Sequence, residues 1–327
     1  MHIMIIGAAG MVGRKLSQRL VKDGGLDGKS IQTLTLIDAV KPESPAGFTG
    51  KVRLESRDFS VPGTAEKLIE TRPDIIFHLA AIVSGEAELD FDKGYRINLD
   101  GTRLLFDAVR QAHMEDGYFP RIVFTSSIAV VGAPLPFPIP DEFHLTPLTS
   151  YGTQKTICEL LLSDYTRRGF FDGIGIRLPT ICIRPGKPNA AASGFFSNIL
   201  REPLIGQEAV LPVSEDVRHW HASPRSAVGF LIHGATMDLQ RVGARRNLFM
   251  PGLSVTVGEQ IEALRRIAGE KAVALIRREP DEMIIKMCEG WAPGFEAKRA
   301  RALGFEAETS FDQIIHAHVE DELGGSL

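Results

Sequence analysis

Tyr151 and Lys155 stand four residues apart in the segment YGTQK, a spacing that puts a phenol and an ammonium on one face of a helix. An alcohol that gives up a hydride must also give up its hydroxyl proton, so the base that takes the proton has to titrate near the working pH. Free tyrosine titrates at about 10. A lysine cation beside it favours the phenolate and lowers that value. Upstream, Thr125-Ser126-Ser127 follow the apolar run Ile122–Phe124. Strand ends of this kind line the crevice of an open α/β sheet, where Ser127, with Ser126 next to it, can hold a substrate oxygen.

A second set of residues has the chemistry of a dinucleotide site. Gly7-Ala8-Ala9-Gly10-Met11-Val12-Gly13 lies between the apolar run Ile3–Ile6 and Val12, Leu16 and Leu20, which recur at helical spacing. Glycines permit a tight turn and close approach of backbone to a pyrophosphate, and the helix that follows offers free N–H groups and the positive end of its dipole. Asp38 closes the next run, Thr33–Ile37, where an acid accepts hydrogen bonds from the adenosine ribose and repels a 2′-phosphate. NAD is therefore expected in preference to NADP. Asp58 ends the third run and can bond the adenine amine or cap a turn.

The elements that must position these groups alternate along the chain. The runs above, with Val52–Leu54, Ile75–Leu79 and Ile174–Leu178, alternate with helix faces such as Leu104, Leu105, Ala108 and Val109, or Ile157, Leu160 and Leu161. That alternation predicts an α/β fold, a Rossmann-type doubly wound parallel sheet. Beyond residue 178 the pattern changes. Residues 1–178 are expected to form the nucleotide-binding domain, and 179–327 a smaller substrate lobe partly interleaved with the sheet. Arg184–Ala192 is rich in Pro, Gly and Ala and reads as an exposed loop, while Gly258–Ala268 and Phe311–Glu322 read as helices.

Composition excludes several classes. Net charge is −4 with both signs interspersed and no basic block, so nucleic acid is not an expected partner. No apolar run reaches the ~18 residues of a membrane span. The first strand signal begins at residue 3, where a secretory leader is not expected. Three scattered cysteines, Cys158, Cys182 and Cys288, form neither a disulfide pattern nor a zinc spacing, which points to a reducing, cytoplasmic compartment. His219 and His221 share a strand face, but no third metal ligand accompanies them, so no metal is expected.

GAAGMVG (7–13), Asp38, HLAA (78–81), NLDGT (98–102), FTSSIAVVG (124–132), YGTQK (151–155) and RLPTICIRPG (177–186) together resemble an extended short-chain dehydrogenase/reductase, the NAD-dependent epimerase/dehydratase family. The resemblance implies Ser127, Tyr151 and Lys155 as the catalytic set, and places Leu79, Ala80, Ala81, Asn98 and Pro179 by the cofactor or in support of the site. It also implies a homodimer through the helices near 98–112 and 151–166. Residues 177–204 and 218–226 resemble the branch that oxidises a four-carbon sugar acid, D-erythronate, at C2. Such a substrate calls for a cation. Arg184 and Arg225, with His219 and His221, lie in the segments that would roof the crevice, and a bidentate arginine suits a carboxylate. A nucleotide-sugar epimerase that recycles bound NAD, and a catalytically silent NAD sensor, are the other readings. The intact Ser-Tyr-Lys set argues against the sensor.

Overall fold

A computed structural model of the chain describes residues 1–186 and 192–326. The strands that concern the site are, in chain order, β1 (His2–Ile6), β2 (Thr33–Asp38), β3 (Lys51–Ser56), β4 (Ile75–His78), β5 (Arg121–Ser127), β6 (Asp172–Leu178), β7 (Thr180–Ile181), β8 (Arg218–Ala222), β9 (Asn247–Phe249) and β10 (Leu253–Thr256). Seven of them form one sheet in the order β9-β6-β5-β4-β1-β2-β3, and β10, β8 and β7 form a three-stranded sheet. The pairings of β3 with β2, β2 with β1, β1 with β4 and β4 with β5 are all parallel. Parallel strands are covered on both faces, which is why they read as unbroken apolar runs: Ile3, Met4, Ile5 and Ile6 are all fully buried. The chain winds outward from β1 in both directions, so the strand order reverses between β1 and β4. In open α/β sheets that reversal is where ligands bind.

Three helices flank this point: α1 (Met11–Lys22), α2 (Gly101–Asp116) and α3 (Ser150–Arg167). α1 buries Leu16 and Leu20. Leu105, Phe106 and Val109 of α2 join Cys158 and Leu162 of α3 and Ile122 and Phe124 of β5 in one apolar cluster. At the head of α3, the Thr149 hydroxyl accepts the Gly152 N–H at 3.0 Å, satisfying one of the donors a helix start leaves over. Tyr151 thus sits in a capped first turn.

The chain divides into two compact units, each of three segments: Met1–Ser127, Thr149–Arg177 and Val228–Leu248 in one, and Ile128–Leu148, Leu178–Ala227 and Phe249–Leu327 in the other. In the second unit, α4 (Phe195–Leu204), α5 (Val257–Val273) and α6 (Phe311–Glu322) contribute Phe196, Ile199, Ile261, Leu264, Ile314 and Ile315 to a core of their own. The last two helices cover the segments that helical patterning marks. Of the expected exposed loop at Arg184–Ala192, residues 187–191 lie outside the described residues. Arg184 is partly buried, because its Nε donates to the Ile181 carbonyl at 3.0 Å and its Nη2 to the Ser193 hydroxyl at 3.1 Å. No helix among the described residues is long and apolar enough to cross a membrane.

Candidate cofactor and catalytic site

The turn from β1 into α1 is shaped by two contacts that tolerate no side chain. Gly7 has φ +94°, and a Cβ there would lie 2.6 Å from the Ala80 nitrogen on the segment following β4. A Cβ at Gly13 would lie 2.3 Å from the Gly7 carbonyl oxygen. Real Cβ atoms do not approach backbone so closely, so glycine is required at both positions. Asp38, at the end of β2, closes the far side: its Oδ2 accepts the Ala9 N–H at 2.9 Å, and its Oδ1 the Val40 N–H at 3.3 Å. The α1 N-terminus has Gly10 as its cap residue, no side-chain cap bond and no acid in its first turn.

Asp58 is held within its own neighbourhood. Its Oδ1 accepts the Ser60 N–H and hydroxyl at 2.9 and 2.5 Å, and its Oδ2 accepts Arg96 Nη1 at 2.7 Å. Partial burial opposes ionisation, but the bonds from Ser60 and Arg96 outweigh it and hold the carboxyl below its usual range. Asn98 lies in a π-helical turn, Tyr95–Asp100, that leads into α2. Buried to 1% exposure, its side chain accepts the Ile82 N–H at 2.9 Å and donates to Gln154 Oε1 at 2.8 Å. It therefore ties the segment after β4 to the helix that carries Tyr151.

Lys155 is buried among strands. Its Nζ donates to the Thr125 carbonyl of β5 at 2.8 Å and lies 5.8 Å from the centre of the Tyr151 ring. Burial lowers its pKa to about 8, against the opposing pull of Cys158 and Glu159. Ser127 is the last residue of β5, two positions beyond that carbonyl. The neighbouring Ser126 hydroxyl is buried and has no hydrogen-bond partner among the described residues. Three further residues escaped the reading of the sequence. Gln154 has no chemistry-bearing spacing of its own. Glu159 and Arg177 form a buried bidentate ion pair, with contacts of 2.9 and 2.7 Å. The one local signal for it was an acid four residues after Lys155, on the buried face.

Residues 3–221 match the NAD dependent epimerase/dehydratase family. The chain belongs to that family. It is 46% identical over 98% of both chains to the D-erythronate dehydrogenase of Cupriavidus necator. It is 40% identical to the D-erythronate dehydrogenase of Haemophilus influenzae, over 99% of this chain and 100% of that one. It also superimposes, with a TM-score of 0.98 and 80% identity, on the crystal structure of a nucleoside-diphosphate-sugar epimerase from Agrobacterium tumefaciens, covering 100% of this chain and 95% of that one.

The cofactor of an NAD-dependent epimerase/dehydratase fits the residues present. The turn that a Cβ at Gly7 or Gly13 would fill is a backbone cradle, and the α1 N-terminus with no acid in its first turn suits a pyrophosphate. Asp38 keeps lone pairs for ribose hydroxyls beyond the two bonds it already accepts.

The cations expected for an acidic substrate stand differently in the second unit. Arg225 lies on the surface and is paired with Asp321 at 2.6 Å and Glu320 at 2.8 Å, both on α6. Arg184 is partly buried, and Pro179 lies between β6 and β7. His219 and His221 were counted as possible cations, and the structure corrects this. Both are buried in an aromatic nest: the His219 ring stacks on Phe196 at 5.2 Å, with Trp291 at 5.3 Å, and the His221 ring meets Phe311 at 5.9 Å. Burial pushes His219 down to about 4 and holds His221 well below its ordinary value, so both are neutral at pH 7. They bond Thr180 at 2.7 Å and Gln260 at 2.9 Å. Among the described residues no group of three or more His, Cys, Asp or Glu side chains is placed to hold a metal ion.

Proposed function

We propose that this chain is an NAD-dependent dehydrogenase that oxidises the C2 hydroxyl of a small sugar acid, D-erythronate, to the 2-oxo acid. The chemistry rests on one observation: a buried ammonium, Lys155, bonded to the strand that ends in Ser127 and lying 5.8 Å from the Tyr151 ring. The choice of substrate rests on the two relatives matched end to end. In this reading the glycine turn (Gly7, Gly10, Met11, Val12, Gly13), Asp38, Asp58, Leu79, Ala80, Ala81, Asn98 and Pro179 bind the cofactor, with Tyr151 and Lys155 on its ribose. Held by these residues, NAD⁺ would supply the acceptor for the hydride leaving C2. Ser127, with Ser126 beside it, holds the substrate hydroxyl by hydrogen bonds, and the Tyr151 oxygen takes its proton. Lys155 favours the phenolate form of Tyr151 by its charge. Arg184 and Arg225 are the candidate cations for the carboxylate; Arg225 is engaged by two acids, and Arg184 by the Ile181 carbonyl and the Ser193 hydroxyl. Residues 1–178 bind the nucleotide and 179–327 supply most of the substrate contacts.

The test is a screen of four- and five-carbon sugar acids with free NAD⁺, read as NADH absorbance. D-erythronate is expected to give the highest kcat/KM. The name of the 80% identical structure favours a second reading, a sugar-nucleotide epimerase. An epimerase recycles its cofactor, so interconversion of a nucleotide sugar without net NADH, together with inert sugar acids, would overturn the dehydrogenase reading.

The enzyme is also expected to be a homodimer in the cytoplasm. Leu160 of α3 and Met114 of α2 are 62% and 70% exposed, apolar side chains on the two helices through which the resemblance implies pairing. Light scattering at micromolar concentration should give about twice the 35.8 kDa chain mass. A monomer there would contradict the assignment.

A further inference from the structure

Lys155 and Glu159 are the two charged side chains of α3 sealed from solvent, 2% and 1% exposed, and they stand one helical turn apart. Each reaches a different strand. Lys155 Nζ bonds the Thr125 carbonyl on β5 at 2.8 Å, and Glu159 accepts both Arg177 nitrogens from the adjacent β6 at 2.9 and 2.7 Å. Buried ion pairs contribute little net stability, because desolvation offsets the attraction and apolar replacement is often neutral or better. An ammonium sealed in a sheet, by contrast, is costly unless an opposite charge faces it.

Among the described residues, the groups that act on or contact Lys155 are these. From α3 come Tyr151, Cys158 and Glu159. From β5 come the Thr125 carbonyl and the Phe124 ring, 4.7 Å from Nζ. From β4 comes His78, which burial and Lys155 itself hold at about 3, hence neutral. Burial pushes the Cys158 thiol up to about 11, so it too is neutral. Glu159 is the anion among them, and it opposes the loss of the Lys155 proton that burial favours.

We propose that the Glu159–Arg177 pair is a positioning device for proton transfer: Arg177 fixes the Glu159 carboxylate on the buried face of α3, and that carboxylate keeps Lys155 an ammonium in register with Tyr151. The inference rests on the reading of Tyr151 and Lys155 as the proton-transfer pair. Glu159 and Arg177 touch neither substrate nor cofactor in this scheme. Loss of the Glu159 charge lets Lys155 deprotonate at lower pH, and a neutral lysine no longer favours the phenolate.

The experiment is the pH profile of kcat/KM for D-erythronate and NAD⁺ in wild type, E159Q and the double variant E159Q/R177Q, with a thermal melt of each. E159Q removes the carboxylate charge that Arg177 faces in a buried site, so it should lose stability. The double variant no longer buries the Arg177 charge without its carboxylate and should recover part of that loss. Both should show the alkaline limb of the profile moved down by about one pH unit, a tenfold loss of activity above the limb. E159D, which retains the charge but withdraws it by one methylene, should shift the limb in the same direction by less, and gives the reading if the double variant does not fold. A folded double variant or E159D with the wild-type profile would reduce the pair to a structural brace and overturn the proposal. Tyr151→Phe in the same assay reports separately on the underlying reading: near-normal turnover there refutes the catalytic assignment itself, whatever Glu159 does.

Discussion

In the proposed reading Tyr151 and Lys155 divide the work of one proton transfer, and substitutions would separate their parts. Tyr151→Phe keeps the ring and removes the oxygen. It should lower kcat by ~10²-fold or more, the ordinary worth of general base catalysis, and leave NAD⁺ binding nearly unchanged. Lys155→Met should damage both turnover and cofactor affinity, because the ammonium acts on the phenol and on the ribose. A fluorescence titration with NADH beside steady-state kinetics distinguishes the two patterns. Equal behaviour of the two variants would show that the roles are not divided in this way. Asp38 is the residue expected to set the cofactor preference. Its carboxylate accepts the Ala9 N–H, so it shapes the glycine turn in addition to the ribose contact proposed for it. Asp38→Ala should therefore weaken NAD⁺ while narrowing its advantage over NADP⁺. Equal kcat/KM for the two cofactors in the wild type would refute the preference.

At the scale of elements, the site depends on how closely β1, α1 and the segment after β4 approach one another. Gly7→Ala forces a Cβ to within 2.6 Å of backbone nitrogen at φ +94°, and both chain segments would have to move apart. Cofactor affinity should fall by more than tenfold, and the thermal midpoint should drop. The substitution Gly63→Ala is the control. Gly63 also has positive φ, but its Cβ would meet nothing within 4 Å. It should cost about 1 kcal/mol of backbone strain with no loss of NAD⁺ affinity. Similar NAD⁺ titrations for the two variants would show that close approach is not what Gly7 provides.

The whole molecule carries buried histidines whose protonation opposes folding. His78 and His219 lie at about 3 and about 4, and His221 well below its ordinary value, chiefly through burial. Unfolded, each titrates near 6.5. Between about pH 4 and 6.5 the unfolded chain thus binds protons that the folded one refuses, and stability must fall as pH falls through that window. The slope is on the order of 1.4 kcal/mol per pH unit for each histidine, about 4 for three. Urea titrations at pH 7, 6 and 5 read it directly. A stability that stays level from pH 7 to 5 would mean these rings are charged, or exposed, in the native state.

Read alone, the sequence determined the α/β alternation, the glycine turn, the acid at the end of the second strand and the phenol–ammonium spacing. All of these are short-range: strand and helix periodicity, turn chemistry and a four-residue separation are written within a few neighbours of each residue. What joins distant segments was settled by the tertiary structure. Only packing brought Lys155 to the Thr125 carbonyl, Asn98 to Gln154 and Glu159 to Arg177. Only packing engaged Arg225 with Asp321, far along the chain, so that a residue type suited to a carboxylate became half of a surface ion pair. His219 and His221 show the same limit through charge. Their spacing placed them together on a strand, but whether an imidazole is a cation depends on how much water surrounds it. That was decided by Phe196, Trp291 and Phe311, aromatic rings from three other segments that close over the pair and exclude it.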